Sequence, residues 1–576
     1  MSALIKLVVP PFVPPKQPSI GIGSLVSVLK KAGFRVQACY LNLAYLQSIG
    51  EELYNHLSKS FRGSCLSGEF LFTPALWPQT KTDWNDYEKV FQKKKNQNLW
   101  IMGREHHLDQ EHIYTEKLVD LYATSDETVT RWAKHLLLDE PDIIGFSTTF
   151  QQTIPSLALA RKIKNLSNGK ISTILGGANC RGEMGRALFD NFPWLDYVVA
   201  GEGEAVIVDL VKDILHRNNP KKSKREFIDA QPVADLDQLP TPDFHDYFTQ
   251  LKKINCTFTP NLSAESSRGC WWGSKSRCTF CSLNGDHLTY RCKSTQKVIS
   301  EIHSLHTTYE SSFFMMADNI LHQSVTTALH REFSSLKHQF FYEIKANQTK
   351  EQLIQMAQTG IHYVQPGIES LSTSILKHIN KGSSQLKNIQ TLKYCTELKL
   401  VTSWNILLNL PGETEEDYRI HKNLIPKLIH LIPPSIIPMR LERFSTYFNN
   451  PEKYHLCNIH HAWPFDFIFS MLPASQRKRL ASFFEYSSTD RDELKEHTRE
   501  LISAVDLWRQ APRDTTLLQY HDTVNGCFII DSRAEKRTFS FISSLEQELL
   551  HCLDGVIRFD KLLDTVERDG IGGEEV

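Results

Sequence analysis

Along the first 215 residues, short apolar runs alternate with stretches in which apolar side chains recur at helical spacing. Leu4 to Val9 reads as a strand running into a proline-rich turn. In the next segment Ile22, Leu25, Val26 and Leu29 share one helical face, and Gly33 stands where a helix end favours a left-handed residue. Phe34 to Leu41 predicts a second strand. A third, Ile143 to Phe146, comes only after about a hundred residues of aromatic and charged sequence, which reads as an inserted, mainly helical subdomain at about 45–130. The pattern then resumes: a helix opens at Ile154 with Pro155 in its first turn, Ile171 to Leu175 is a strand ending in Gly176-Gly177, and Tyr197 to Val199 is a strand ending in Gly201-Glu202-Gly203-Glu204. Such alternation predicts an α/β domain over residues 1–215, with a parallel sheet covered on both faces and ligands bound beyond the carboxyl ends of the strands. Three of those ends, at Ser147-Thr148-Thr149, Gly176-Gly177-Ala178-Asn179 and Gly201 to Glu204, are small, polar or glycine-rich. Together they predict a broad, flat ligand site.

Residues 216–255 read as a connector, with a basic run at Lys221 to Arg225 taken as solvated surface and a turn-rich stretch at Leu239 to Asp243. A second alternation occupies 256–450, with strands at 262–267, Phe313 to Ala317, Phe340 to Ile344, Tyr363 to Gln365, Trp404 to Leu408 and Ile436 to Leu441. Six βα units predict a partial or full barrel whose chemistry lies just after the strands. Polar groups do stand there: a cysteine loop after the first strand, Asp318-Asn319 after the second, Glu343 and Lys345 at the third, Gly367-Ile368-Glu369-Ser370 after the fourth and Pro411-Gly412-Glu413 after the fifth. Residues 451–576 open on aromatics (Trp463, Phe465, Phe467, Phe469) expected to close the barrel. They end in a small α+β module of short strands at Phe528 to Asp531 and Phe539 to Ile542 and helices at Leu545 to Leu553 and Phe559 to Val566. That module is read either as a winged-helix-like peptide-recognition domain or as a packing cap.

Composition narrows the partners. The 65 basic and 66 acidic residues nearly cancel, which argues against a broad electrostatic grip on nucleic acid or anionic lipid. No window is apolar enough for a membrane span and the N-terminus lacks a secretion signal, so a cytoplasmic protein with reduced thiols is expected. Of twelve cysteines, nine are scattered singly and read as small buried hydrophobes. The other three, Cys270, Cys278 and Cys281, form a C-x7-C-x2-C cluster in AESSRGCWWGSKSRCTFCSLNG. Three thiolates can hold a four-iron cluster with one iron left open. The alternative is a zinc site in which Cys278 and Cys281 form one knuckle, closed by a histidine or a distant cysteine; a second knuckle is lacking.

The cysteine triplet with Phe280 between its last two members, the Gly367 to Ser370 and Leu410 to Glu413 strand ends, and the preceding sheet domain resemble the cobalamin-binding branch of the radical S-adenosylmethionine (SAM) enzymes. SSRGCWWG, CSLNG, GEFLF near 70, PDFHDYF near 245 and RLERFSTYF near 445 are similar to the C-methylating maturases of ribosomally made peptides. The resemblance implies a Rossmann-like cobalamin-binding domain, a partial (β/α)6 TIM-type radical SAM barrel and a small C-terminal domain. It implies a [4Fe-4S] cluster on Cys270, Cys278 and Cys281 whose open iron chelates SAM. Phe280 would then lie near the adenine, with Asp318, Glu343 and Glu369 on the cofactor's polar groups, although Ala317-Asp318-Asn319 departs from the family's Gly-Gly-Glu. Ser147, Thr148, Gln151, Gly176, Gly177, Gly201 and Gly203 would surround the corrin and its tail. No Asp-x-His-x-x-Gly supplies a lower axial histidine. The implied reaction is C-methylation of a precursor peptide through a 5′-deoxyadenosyl radical and methylcobalamin, with a flavodoxin or ferredoxin as electron donor. Epimerisation, thioether or ring formation, a small-molecule substrate, and a non-catalytic cobalamin or iron-sulfur protein stay open as alternatives.

Overall fold

The computed structural model describes residues 3–80, 82–97, 111–149, 151–216, 225–283, 285, 288–334, 337–488, 493–534 and 536–568. The chain forms two compact units, Met1–Phe340 with Arg440–Ser487 and Phe341–Met439 with Ser488–Val576.

The first unit is built on a six-stranded sheet of β1 (Leu4–Val9), β2 (Arg35–Tyr40), β3 (Ile143–Thr148), β4 (Ser172–Gly177), β5 (Tyr197–Gly201) and β6 (Glu226–Ala230), in the order β2-β1-β3-β4-β5-β6. All five neighbour pairs in it are parallel. β1 is buried along its whole length, as a strand covered on both faces must be. β3 runs two residues past its expected end because Ser147 and Thr148 pair with Gly176 and Gly177. The stretch read as a connector contributes structure instead: β6 completes the sheet beside β5, and the helix His245–Leu251 covers the free edge of β2. On that edge Ala38 donates its N–H to Asp246 at 2.7 Å and Tyr40 donates to Gln250 at 2.8 Å, so an open row of backbone groups is closed by side chains. Of the basic run, only Arg225 falls within the described residues. It is half-buried rather than wholly solvated: its guanidinium bonds to the Leu195 carbonyl at 2.9 Å and covers the Phe189 ring.

Between β2 and β3 the described residues of the insertion are mainly helical, from Leu41–Ile49 to Ser125–Leu137. Two buried side chains fasten it to the sheet. Gln151 accepts from the Gly68 N–H at 2.8 Å and donates to the Leu57 carbonyl at 3.1 Å, while Glu69 accepts the N–H groups of Thr153 and Ile154 at the start of the helix Thr153–Leu166. Trp463 and Phe467 pack on this insertion rather than closing a barrel: Trp463 is 5.2 Å from Tyr87, and Phe467 5.6 Å from Phe70.

The second alternation begins in the same unit with β7 (Leu262–Ala264), β8 (Ser267–Arg268), β9 (Arg291–Cys292) and β10 (Phe313–Met316). β7 and β10 pair in parallel around the helix Thr295–Tyr309, and β8 pairs antiparallel with β9. β11 (Gln339–Lys345) carries the chain into the second unit, where β12 (Tyr363–Gly367) and β13 (Val401–Thr402) follow in parallel register, and β14 (Asn405–Leu408) pairs with β15 (Ser435–Pro438). The chain returns to the first unit for a small antiparallel sheet of β16 (Leu441–Glu442), β17 (Cys457–His461) and β18 (Phe483–Ser487).

In the second unit the helix Lys495–Gln510 packs on Glu415–Leu428, with Trp404 and Trp508 in edge contact at 5.9 Å. The end of the chain forms an antiparallel meander of β19 (Leu518–Thr523), β20 (Gly526–Asp531) and β21 (Thr538–Ser543), followed by helices Ser544–Cys552 and Phe559–Arg568. Lys350 holds it to the barrel helices through Asp554 at 2.9 Å. Among the described residues no helix is long and apolar enough to cross a membrane. Of the nine scattered cysteines only Cys65, Cys180, Cys395 and Cys527 are buried; Cys292 and Cys457 are exposed.

Candidate functional site

The loop that carries the three cysteines leaves the first barrel strand through a tight turn. Gly269 takes φ +84°, and a Cβ there would come within 2.4 Å of the Thr289 carbonyl oxygen, so only glycine admits the turn into Cys270. Beyond it the loop is fastened by its own backbone and by its neighbours. Ser274 N–H donates to the Cys270 carbonyl at 2.9 Å, Cys281 N–H to the Cys278 carbonyl at 3.2 Å, Arg277 to the carbonyls of Gly285 and Phe444, and Tyr447 N–H to the Thr279 carbonyl. Ser282 hydrogen-bonds Glu442. All three cysteines and Phe280 are half-buried, and the Gly273 N–H points at the Cys270 sulfur from 3.3 Å, a donor suited to a thiolate. Among the described residues no three His, Cys, Asp or Glu side chains are grouped to hold a single metal ion. A zinc ion draws its ligands in to about 2.0–2.3 Å. A cubane spreads three thiolates over three irons. Three thiols in one anchored loop, each partly open, are a donor set of the kind a cubane takes.

Asp318 is placed behind this loop. It is buried, and accepts the Ser266 N–H at 2.9 Å and the hydroxyls of Ser266 at 2.5 Å and Ser267 at 2.6 Å, which fixes the strand that leads into Cys270. Burial raises its pKa to about 6 against those hydrogen bonds. Asn319 donates to the Gly269 carbonyl at 3.4 Å.

A cavity of about 360 Å³ opens within the first unit, at the C-terminal end of the six-stranded sheet, and its size is that of a small-molecule cleft. Its inner wall is apolar, from Ile5, Leu7, Ile22, Ile174 and Val199. Its mouth is lined by Ser147, Gly176, Gly177, Gly201 and Gly203, five of the seven strand-end residues singled out in the sequence. The backbone demands glycine at two of them. Gly177 has φ +103° and a Cβ there would lie 2.4 Å from the Thr148 carbonyl oxygen; Gly201 has φ +90° and a Cβ 2.2 Å from that of Ala230. The other two residues do not line the cavity: Thr148 donates its hydroxyl to the Gly176 carbonyl at 2.9 Å, and Gln151 holds the helical insertion.

The same cavity is lined by Arg268 and Gly269, the two residues before Cys270. Arg268 reaches Glu204 at 2.7 Å, Glu265 at 2.9 Å and Glu202 at 3.1 Å, and Arg291 reaches Glu202 at 2.5 Å. Lys293 adds Glu301 at 2.7 Å. Burial alone would raise the Glu265 and Glu202 carboxyls, but the arginines beside them hold both below the ordinary value. Glu265 and Glu204 in turn raise Arg268 despite its own burial. This network ties the glycine-rich end of β5 to the start of the cysteine loop. Sequence inspection missed it, although Glu202 and Glu204 stand inside the Gly201 to Glu204 run and Arg268 inside SSRGC.

In the second unit Glu343 lies on β11 opposite Gln365. Glu369 takes φ +62° and pairs with Lys381 at 2.9 Å, and a Cβ on Gly367 would come within 2.7 Å of the Lys381 amine. Glu413 is buried and accepts the Tyr418 hydroxyl at 2.6 Å; burial pushes its pKa up from 4.5 to about 8 against that hydrogen bond. A carboxyl raised in the folded state contributes stability that is complete below its unfolded value and lost as pH rises through its folded one. Glu413→Gln is therefore expected to flatten the fall in Tm between pH 4.5 and about 8, read by thermal melts of both proteins across that window.

Residues 265–425 match the radical SAM superfamily. They are a radical SAM domain. Such a domain takes a [4Fe-4S] cluster and SAM. Over 317 residues the chain is 25% identical to an uncharacterized methyltransferase, PH0819, of Pyrococcus horikoshii, covering 52% of this chain and 67% of that one. Further relatives, among them magnesium-protoporphyrin IX monomethyl ester cyclases and a hopanoid C-3 methylase, are matched over 40–60% of their own length. Two solved structures share the fold around the radical SAM domain. One is the radical SAM methyltransferase TsrM of Kitasatospora setae with tryptophan and a SAM analogue (14% identity, TM-score 0.56, 87% of this chain and 89% of that one). The other is the cobalamin-dependent radical SAM enzyme OxsB with aqua-cobalamin and SAM (16% identity, TM-score 0.55, 88% and 67%). The α/β class read from the sequence, a Rossmann-like sheet domain followed by a radical SAM barrel, is the fold observed.

Proposed function

We propose that the protein is a cobalamin-dependent radical SAM methyltransferase that acts on an unactivated carbon of a ribosomal precursor peptide. The observation that carries this reading is the cavity lined both by the glycine-rich strand ends and by the residues leading into Cys270. Cys270, Cys278 and Cys281 would hold the cluster. Ser147, Gly176, Gly177, Gly201 and Gly203 would receive the corrin, with the apolar inner wall taking the aromatic end of its nucleotide tail. When bound, these cofactors supply one-electron cleavage of SAM and a transferable methyl group, chemistry that no side chain of the protein provides. What the chain contributes is placement. Asp318 and Arg268 fix the strand entering the cysteine loop, the glycines let a flat ligand approach the backbone, and the half-buried walls keep water from a reactive carbon.

Support for a peptide comes from the C-terminal meander. Phe528 and Phe541 face each other across β20 and β21, Phe539 lies on the same side, and the three are 47, 53 and 66% exposed, while the other side of the sheet is covered by the helix Ser544–Cys552. Precursor peptides incubated with reconstituted enzyme, SAM and reductant are expected to gain one CH2 by mass analysis. Loss of hydrogens without added carbon would replace methylation with another radical outcome, and methylation of small molecules alone would remove the peptide.

A further inference from the structure

Three guanidinium groups line the cavity, those of Arg181, Arg268 and Arg291. Two of them are committed, Arg268 to Glu202, Glu204 and Glu265, and Arg291 to Glu202. Arg181 stands differently. It ends the short turn after β4, immediately before the helix Gly182–Asn191, on the same rim as Gly176, Gly177 and Ser147. Among the described residues its guanidinium makes no ion pair or hydrogen bond, and burial lowers its pKa, with only partial relief from the charge of Glu202. A cation taken partly out of water without a partner costs free energy that an incoming anion recovers. The three carboxylates of the cavity, Glu202, Glu204 and Glu265, are held by Arg268 and Arg291, so Arg181 is the guanidinium of the lining that has no carboxylate in contact among the described residues.

We propose that Arg181 is an anion receptor for the cavity's ligand and that the anion is the phosphodiester of the cobalamin nucleotide tail. The inference rests on the cobalamin reading above. Around its rim a corrin presents neutral amides, and the phosphodiester between ring and tail base is its one anionic group outside the metal. A guanidinium fork matches two phosphate oxygens, and Arg181 lines the same cavity as the glycines assigned to the ring and the apolar residues assigned to the tail base.

Two corrinoids separate the terms. Hydroxocobalamin carries the phosphodiester; cobinamide keeps the corrin and lacks the nucleotide loop. Titrating each into the full-length protein by absorbance, Arg181→Gln is expected to weaken hydroxocobalamin roughly ten- to a hundredfold, to leave cobinamide unchanged, and Arg181→Lys to fall between. Unchanged cobinamide binding also shows that the variant is folded. Equal weakening of both corrinoids, or of neither, overturns the assignment of the phosphodiester to Arg181 while leaving cobalamin binding intact. A wild-type protein that takes up neither overturns the cobalamin reading itself and this inference with it.

Discussion

Replacement of Cys270, Cys278 or Cys281 by alanine is expected to abolish formation of 5′-deoxyadenosine from SAM and to strip the protein of its iron-sulfur absorbance. On the proposed reading each supplies one of three protein thiolates to a cluster that already leaves one iron open, so none is dispensable. The fold should survive. The loop is held by Arg277, Tyr447 and Ser282 through atoms other than the three sulfurs, and each cysteine is half-buried, so its loss opens no core cavity. Circular dichroism and Tm near wild type, with iron content and SAM cleavage at background, is the expected pattern. Cys292→Ala and Cys457→Ala, at exposed positions, should keep both cluster and turnover. Full turnover in any of the three loop variants would remove the cluster from this loop.

The second large effect is on stability. Arg268 is 16% exposed and paired with three carboxylates of which Glu204 and Glu265 are less than one-tenth exposed. Arg268→Gln leaves those carboxylates facing one another without their common partner, a change expected to cost about 3–5 kcal/mol, the range for breaking a buried ion pair. Arg268→Gln combined with Glu265→Gln should recover part of the loss, because the two changes act on one network and are not additive. Denaturant unfolding reads both. An Arg268→Gln midpoint equal to wild type would show that the network is slack and does not hold the cysteine loop to β5. In the intact enzyme the same variant should also uncouple the two halves of the site, retaining the glycine rim but misplacing the entrance to Cys270.

How much of this could be read beforehand depends on how local each signal is. The strand ends of the first sheet were legible because a glycine-rich turn declares itself within four residues, and Gly177 and Gly201 prove to need positive φ. The cysteine loop was legible for the same reason. β6 was not: Glu226 to Ala230 follows a charged run, alternates weakly in burial and is identified as a strand only by its pairing with β5. β19 was hidden by composition, since Leu518 to Thr523 is mostly polar and exposed throughout. Thr148 and Gln151 had the right position and the wrong direction, a difference set by the Gly176 carbonyl and by an insertion more than eighty residues earlier. The Glu202, Arg268 and Arg291 network joins residues 66 and 89 positions apart, and no window over the sequence brings them together.

The most direct test of the central claim is the ratio of two products from anaerobically reconstituted enzyme given SAM, reductant, cobalamin and precursor peptide. One SAM is cleaved and a second gives its methyl group in each cycle, so 5′-deoxyadenosine and S-adenosylhomocysteine are expected to accumulate in equal amounts with methylated peptide. Formation of 5′-deoxyadenosine without S-adenosylhomocysteine, or of neither, would contradict it.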